Sequence, residues 1–341
     1  IDYLEANPTF VQPDSRRNEV LGFLKSVKLE DLCISRPKAR LSWGIPLPFD
    51  PDYVNYVWFD ALTNYFSVPA ALGDPTAVAP LGKYYPAAVV PQPPQLWPAD
   101  IHVIGKDITR FHSVIWPAML MSAGVALPRQ VFGHGWVHLK GEKMSKSLGA
   151  AVEPLDALDR FGPDPLRLYL MKEITFGSDG DFSWERYEDR YNVDLANNLG
   201  NLVSRIAAMA EKYREGRLAP SGSPGRLAGI ARQSVDAYRE AMDAWAIERG
   251  VAAAFQIVDG ANEFIASVEP WAIARDPARA GELSQVLFDV AEAIRVAAIL
   301  LLPVMPRSAA EILRRVGETR PAGDLRLADA AWKNEGTRQM L

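Results

Sequence analysis

The chain is poor in several things at once. It holds one cysteine, Cys33, among 341 residues. This excludes an intrachain disulfide framework and a cysteine-based zinc site within this chain. Such usage suits a reducing cytoplasm, and Cys33 itself reads as a small buried side chain. The four histidines show no metal-ligand spacing, so no metal site is read. Long hydrophobic runs are missing too: Val296 to Val304 is the longest, proline interrupts it, and no membrane span is expected. Charge of one sign is also lacking. The formal net charge of −5 advertises no general affinity for nucleic acid, although a local basic face remains possible. No apolar leader opens the chain, and its start on Ile1-Asp2-Tyr3 reads as a segment cut from something longer. At 48% hydrophobic content it is an ordinary globular chain, large enough for roughly two or three units.

What is present centres on Gly141-Glu142-Lys143-Met144-Ser145-Lys146-Ser147-Leu148-Gly149. Flanking glycines let the backbone open and close, and Lys143 and Lys146 supply compact charges on flexible stems. Ser145 and Ser147 add adaptable donors. Such a loop suits a polyphosphate, because cations help most when they engage developing charge more strongly than the ground state. A generic Lys/Ser run would read as a solvated loop; this particular order is far less common by chance.

Upstream, residues 1–28 read as polar and helical or irregular, broken by Pro8 and Pro13. Leu32 and Ile34 alternate with polar neighbours, which predicts a strand over 31–36. Tyr56-Val57-Trp58-Phe59 reads as a strand end and Ala61 onward as a helix, so Trp58, Ala61 and Tyr65 line one wall. Taken singly, each aromatic is accounted for by core packing. Pro75 to Pro98 reads as an irregular surface excursion. Ile101 to Gly105 is a β-branched run ending in glycine, followed by Lys106-Asp107 and a helical pattern from Ile108. These are the parts of a doubly wound α/β sheet, in which ligands sit at the carboxyl ends of strands, where Gly105 and Asp107 fall. Ile108, His112 and Trp116 are four apart and share a helix face. A pocket of Trp58, Tyr65, Ile108 and Trp116, with His112 as its polar contact, suits a side chain such as methionine's. His112 alone reads as a satisfied core histidine. Val131 to Leu139 reads as one strand delivering the chain to the lysine loop. The turn-rich acidic link Phe176 to Phe182 marks the expected domain boundary.

From Asn192 to about Gly317 the pattern is helical. Leu195, Leu199, Leu202 and Ile206 form a core stripe, while Asn197, Asn201 and Arg205 occupy a different face. Amides and a guanidinium in a row are good tools for base edges, although a solvated face accounts for the same pattern. Lys212 to Arg217 is basic enough to meet phosphates. Helices are predicted over 227–249, 250–268 and 281–302, with Trp271 presented at the break after Glu269 and Ser308 capping a last short helix.

Taken together, these stretches resemble the methionyl-tRNA synthetases, class I aminoacyl-tRNA synthetases. The resemblance rests on Arg16-Arg17-Asn18-Glu19-Val20, Trp43-Gly44-Ile45-Pro46, Tyr56-Val57-Trp58-Phe59-Asp60-Ala61-Leu62, Ile104-Gly105-Lys106-Asp107-Ile108, Phe111-His112, Trp116-Pro117, the lysine loop, and Asn201-Leu202-Val203-Ser204-Arg205. It implies the second half of a Rossmann-type catalytic domain followed by an α-helical anticodon-binding bundle. The implied divisions are 1–28, the tail of a connective insertion; 29–140, the half catalytic domain; 141–190, the signature loop and stem-contact region; 191–320, the anticodon domain; and 321–341, a C-terminal tail. The implied activity is ATP-dependent formation of methionyl-adenylate and transfer of methionine to tRNA.

The resemblance places L-methionine among Trp58, Ala61, Leu62, Tyr65, Ile108, His112 and Trp116. It places ATP near Gly105 and Asp107, with Lys143, Lys146, Ser145 and Ser147 acting on its phosphates in the presence of Mg²⁺. It places the CAU anticodon of the methionine tRNA on Asn197, Asn201, Arg205 and Trp271, and it implies a cytoplasmic monomer. Two departures stand out: Ala150 follows Gly149 where the family usually has asparagine, and the family's His-x-Gly-His turn is absent from these residues. The isolated chain is therefore expected to need a completing N-terminal segment for catalysis. Another class I synthetase, a non-catalytic tRNA-binding module and a structural scaffold are the competing readings.

Overall fold

The computed structural model describes residues 1–72, 96–139, 141–143 and 152–341. It divides into two compact units, Ile1–Gly135 and Trp136–Leu341.

Unit 1 begins with α1 (Asp2–Ala6), β1 (Val11–Gln12) and α2 (Asp14–Ser26). An antiparallel sheet follows, made of β2 (Ser35–Pro37), β3 (Pro46–Leu47) and β4 (Asp50–Asn55) in the order β2-β4-β3. The strand expected over 31–36 starts only at Ser35, since the ladder with β4 covers Ser35–Pro37, with one further bond from Tyr56 N–H to Ile34 O at 2.7 Å. Cys33 is exposed rather than buried, its Sγ donating to Ser35 O at 3.2 Å.

Helix α3 (Val57–Leu72) then opens two residues after β4, so Trp58 and Phe59 belong to the helix and not to a strand end. Strand β5 (His102–Gly105) runs into a 3₁₀ turn (Lys106–Ile108), a π turn (Phe111–Ile115), α4 (Trp116–Ser122) and β6 (Val131–His134). Parallel strands need such a helical crossover, and β5 and β6 pair in parallel with Val103 opposite Phe132.

The parallel sheet has the order β1-β6-β5, because Val11 pairs with Val131. Residues from α1 to α2, within the stretch expected as the tail of a connective insertion, are thus part of this unit's sheet and core. Leu4, Phe10, Val11 and Val20 pack with Ile104 and Val131. Burying each such side chain stabilises by about 1.5–3 kcal/mol, which is why so short a strand holds its place.

In unit 2, β7 (Val137–Leu139) is separate from β6. It lies between β8 (Glu142–Lys143) and β9 (Gly180–Phe182), so the single strand expected over 131–139 is two strands in two units. The pairing of β9 with β7 also places 176–182 inside unit 2, and the observed division falls at Gly135/Trp136 instead. Helices α5 (Pro154–Phe161) and α6 (Pro163–Glu173) are divided by Gly162 at φ +86°, as the Gly-Pro pair predicts.

Next, α7 (Trp184–Arg190), a π segment (Tyr191–Gly200) and α8 (Asn201–Arg214) run without a break. After β10 (Arg217–Leu218) come α9 (Arg226–Asp243), α10 (Ile247–Val268), α11 (Pro270–Ile273), α12 (Ala280–Leu301) and α13 (Pro306–Arg315). The break between α9 and α10 falls at 244–246, with Trp245 at φ +60°, not at 249/250. Ser308 lies within α13 and does not cap it with its hydroxyl; its backbone N–H donates to Asp164 Oδ2 of α6 at 2.6 Å.

Helix α12 is central: every residue from Gln285 to Leu301 is buried. The segment expected as a tail closes the bundle. Strand β11 (Arg338–Gln339) pairs with β10, and Leu325, Ala330 and Met340 join the core. Charge holds it too. Buried Arg295 grips Glu292 at 2.6 and 2.8 Å, and Arg338 bonds the same carboxylate.

Candidate functional site

In unit 1, α3 and the turn-and-helix after β5 bring aromatic rings together. The Tyr65 ring lies 5.4 Å from that of His112 and 6.0 Å from that of Trp116, centroid to centroid. Leu62, Trp116 and Leu120 are the buried core of this cluster, and Ala61, next in the chain to Leu62, is half-buried.

Hydrogen bonds fix the imidazole. His112 Nδ1 lies 3.0 Å from Ile108 O, and a carbonyl only accepts, so Nδ1 carries the proton. Nε2 is then the acceptor, and Tyr65 Oη donates to it at 2.8 Å. Burial lowers the His112 pKa and keeps the ring neutral. Burial likewise raises that of the Tyr65 phenol. The result is an uncharged cage with one polar edge.

Two expected members sit elsewhere. Trp58 is 46% exposed and packs on Phe111, with centroids 6.1 Å apart, rather than on Tyr65. Ile108 packs against the sheet cluster of Phe10, Val11 and Ile104. Sequence reasoning missed Trp97 and His102. The Trp97 ring lies 6.0 Å from Trp116, and its Nε1 donates to Ala126 O at 3.0 Å. His102 accepts from Trp116 Nε1 at 3.3 Å. The available signal was strand alternation, which buries His102 with Ile104 and leaves Val103 51% exposed.

Gly105 ends β5 opposite His134, which ends β6, so the carboxyl ends of parallel strands lie side by side. A Cβ on Gly105 would stand 2.6 Å from Asp107 Oδ1, so glycine is what allows this carboxylate to lie against the backbone. Asp107 is exposed. Among the described residues, no group of three His, Cys, Asp or Glu could hold a metal ion.

In unit 2, β7 and β8 form a hairpin in which His138 pairs with Lys143. Gly141, at φ +81°, turns it, and its N–H donates to Asp181 Oδ1 at 2.8 Å. Lys143 thus ends a tethered strand. Ser145, Lys146 and Ser147 lie outside the described residues.

The π segment and α8 separate core from surface as the pattern predicts. Leu199, Leu202 and Ile206 are buried; Asn197 and Asn201 are exposed and Arg205 is half-exposed. A Cβ on Gly200 would meet Leu195 O at 2.8 Å, so glycine admits the wide π turn just before Asn201. Asn198 donates to Asp259 Oδ1 and accepts from Asn262, both at 2.7 Å, which ties this segment to α10. At the end of α10 Glu269 takes φ +50°, and Trp271 follows at 40% exposure.

Comparison with known proteins identifies the family. The family model for class I tRNA synthetases (M) matches residues 2–207, and that for the anticodon binding domain of methionyl tRNA ligase matches 223–334. A methionine--tRNA ligase of Caldanaerobacter subterraneus subsp. tengcongensis is 42% identical over 99% of this chain and 51% of its own length. That of Bacillus subtilis is 40% identical over 94% of this chain and 46% of its own length. The solved Mycobacterium tuberculosis methionyl-tRNA synthetase in complex with methionyl-adenylate superposes with a TM-score of 0.84 at 38% identity. It covers 100% of this chain and 64% of its own. The chain thus spans about half the length of the curated relatives it matches. It belongs to the class I tRNA synthetase family designated M, as a class I catalytic region followed by a helical anticodon-binding domain.

Proposed function

We propose that this chain carries the amino-acid pocket, the signature-loop lysines and the anticodon-reading bundle of a methionine--tRNA ligase. The observation that carries the reading is the neutral aromatic cage of Tyr65, His112 and Trp116. A thioether is apolar and polarizable, and it contacts ring edges favourably by about 0.3–1.5 kcal/mol each. A cage with no charge imposes no desolvation penalty on such a side chain. A branched aliphatic side chain, branched at Cβ or at Cγ, needs more width than a thioether, and the clustered rings disfavour the branched-chain class I readings.

The reaction proposed is in-line attack of the methionine carboxylate on the α-phosphate of ATP, giving methionyl-adenylate and pyrophosphate. Transfer to the terminal ribose of the methionine tRNA follows. Positioning and charge stabilisation supply most of such catalysis. Gly105 and Asp107 are proposed beside the nucleoside, and Lys143 and Lys146, with Ser145 and Ser147, on the phosphates. Mg²⁺ is proposed to arrive on the nucleotide, and no protein ligand is assigned to it. Asn197, Asn201 and Arg205 are proposed to read the first base of the CAU anticodon, with Trp271 as a stacking surface. A cytoplasmic monomer is the proposed working form. Turnover is proposed only with a complete nucleotide site that includes the His-x-Gly-His turn.

Titration calorimetry of the 341-residue chain with L-methionine and L-leucine tests the pocket. Saturable binding of methionine, lost in His112→Leu, is expected. Equal binding of both amino acids, or binding of leucine alone, would overturn the assignment.

A further inference from the structure

The cage leaves one buried titratable group without a role. His102 opens β5, is 6% exposed, and lies against Tyr65 with ring centroids 4.3 Å apart. Trp116 Nε1 donates to its Nε2 at 3.3 Å. An indole nitrogen can only donate, so Nε2 is unprotonated and the proton is on Nδ1. Burial, reinforced by His112, lowers the pKa to about 4, so this acceptor persists at neutral pH. Trp116 is 2% exposed, and its single polar atom is satisfied by this contact. The edge-on packing of Trp97 at 74° restrains the plane of the indole. The bond to His102 determines which way the N–H edge faces.

We propose that His102 is a positioning residue for the amino-acid pocket: it holds the Trp116 indole by its N–H and backs the Tyr65 ring, so that the cage is shaped for an unbranched side chain before any ligand arrives. The proposal rests on reading the cage as the methionine site. His102 acts through the two rings and does not itself touch the amino acid. Removing the acceptor leaves a buried N–H unsatisfied, and the indole turns to find a partner. There is space beside the Tyr65 ring for it to move. Tyr65 and His102 also border a cavity of about 400 Å³, lined further by Val68, Pro69, Leu96 and Val103. A loosened cage accepts branched side chains that the tied cage rejects.

The test compares the 341-residue chain with His102→Leu, which removes the acceptor, and His102→Gln, whose amide oxygen can replace it. The Trp116 Nε1–H resonance, assigned by its loss in Trp116→Phe, is followed by ¹H–¹⁵N spectroscopy. Affinities for L-methionine and L-leucine are measured in parallel. In His102→Leu the indole resonance is expected to move and the methionine-over-leucine preference to fall about tenfold. In His102→Gln both are expected to return toward the parent. An unmoved resonance in His102→Leu overturns the proposal, even where that variant has a lower unfolding midpoint. So does an unchanged preference. If the parent chain binds no methionine, the pocket reading fails on its own, and the indole resonance still decides whether His102 holds Trp116.

Discussion

In unit 1 the residues proposed for recognition are themselves the packing. Trp116 and Leu62 are the buried centre of their cluster, and His112 is locked by Ile108 and Tyr65. In unit 2 the face proposed for recognition is separate from the packing. Leu199, Leu202 and Ile206 belong to a large continuous core, while Asn197 and Asn201 stand on the exposed face of the same helical run. A buried pocket for a small side chain must be shaped by the same rings that stabilise it. A surface that reads bases can change its letters without touching the core. Substitutions in the pocket should therefore change stability and binding together, and substitutions on the bundle face should change binding alone.

The sharpest way to break this contrast is Trp116→Ala. Removing a buried tryptophan costs about 3–5 kcal/mol. The unfolding midpoint of unit 1 should fall and methionine binding should vanish in one calorimetric series. Wild-type stability with lost binding would refute the claim that pocket and core coincide.

Glu292→Ala is the matching core test in unit 2, far in kind from any residue proposed to read a base. Glu292 is fully buried and bonds Arg295, Arg338 and the Lys333 backbone N–H. Leaving two buried guanidiniums without their carboxylate should cost about 3–5 kcal/mol. Burial already holds the Arg338 pKa below the usual arginine range. Hydrogen exchange should show the 321–341 segment opening first; protection unchanged there would argue against a charge-held closure.

Acid sharpens the comparison further. The folded pKa of His102 is about 4 against an ordinary 6.5, and that of His112 is lowered in the same direction. The unfolded chain therefore takes up these protons first as pH falls. Stability that is present at neutral pH is lost progressively from about pH 6.5 down toward 4, by roughly 3 kcal/mol at most for His102. Denaturant titrations between pH 7 and 4 should show unit 1 weakening, and His102→Gln should flatten the curve. A parent curve as flat as the variant's would count against a buried neutral His102.

Asn201→Ala should have the smallest effect of the four. Losing one neutral hydrogen bond to a base costs about 1 kcal/mol. Exposed substitutions usually alter stability by no more than about 0.5 kcal/mol. Filter binding should show a weaker preference for CAU at an unchanged unfolding midpoint. A large drop in that midpoint would place Asn201 in the core and erase the contrast.

How much could be read in advance follows the same division. The bundle was legible because a 3.6-residue period sorts core from surface within each helix, as Leu199, Leu202 and Ile206 show. The Lys143 hairpin was half-legible: the flanking glycines marked a loop from Gly141, but the pairing of Glu142–Lys143 and the division of 131–139 into two strands depend on partners that the local pattern does not show. His102 was hidden because its contact with Trp116 crosses from a strand to a helix. The closing role of 321–341 was hidden because its apolar residues, Leu325, Ala330 and Met340 among them, follow no helix or strand period. A clue lay in α12, where Asp289, Glu292 and Arg295 interrupt an apolar helix at intervals of three. Buried charges are rare without partners, so these called for a distant segment such as the one bearing Arg338.

The most direct single measurement is equilibrium binding of two tRNAs to the 341-residue chain at one fixed salt concentration. One carries the CAU anticodon, and the other differs only in its first anticodon base. Fixed salt holds the phosphate contribution equal, because backbone contacts carry no sequence information. A clear preference for CAU that weakens in Asn201→Ala is the predicted result. Equal binding of both tRNAs would contradict base reading by Asn197, Asn201, Arg205 and Trp271, and would reduce the bundle to a phosphate-driven contact.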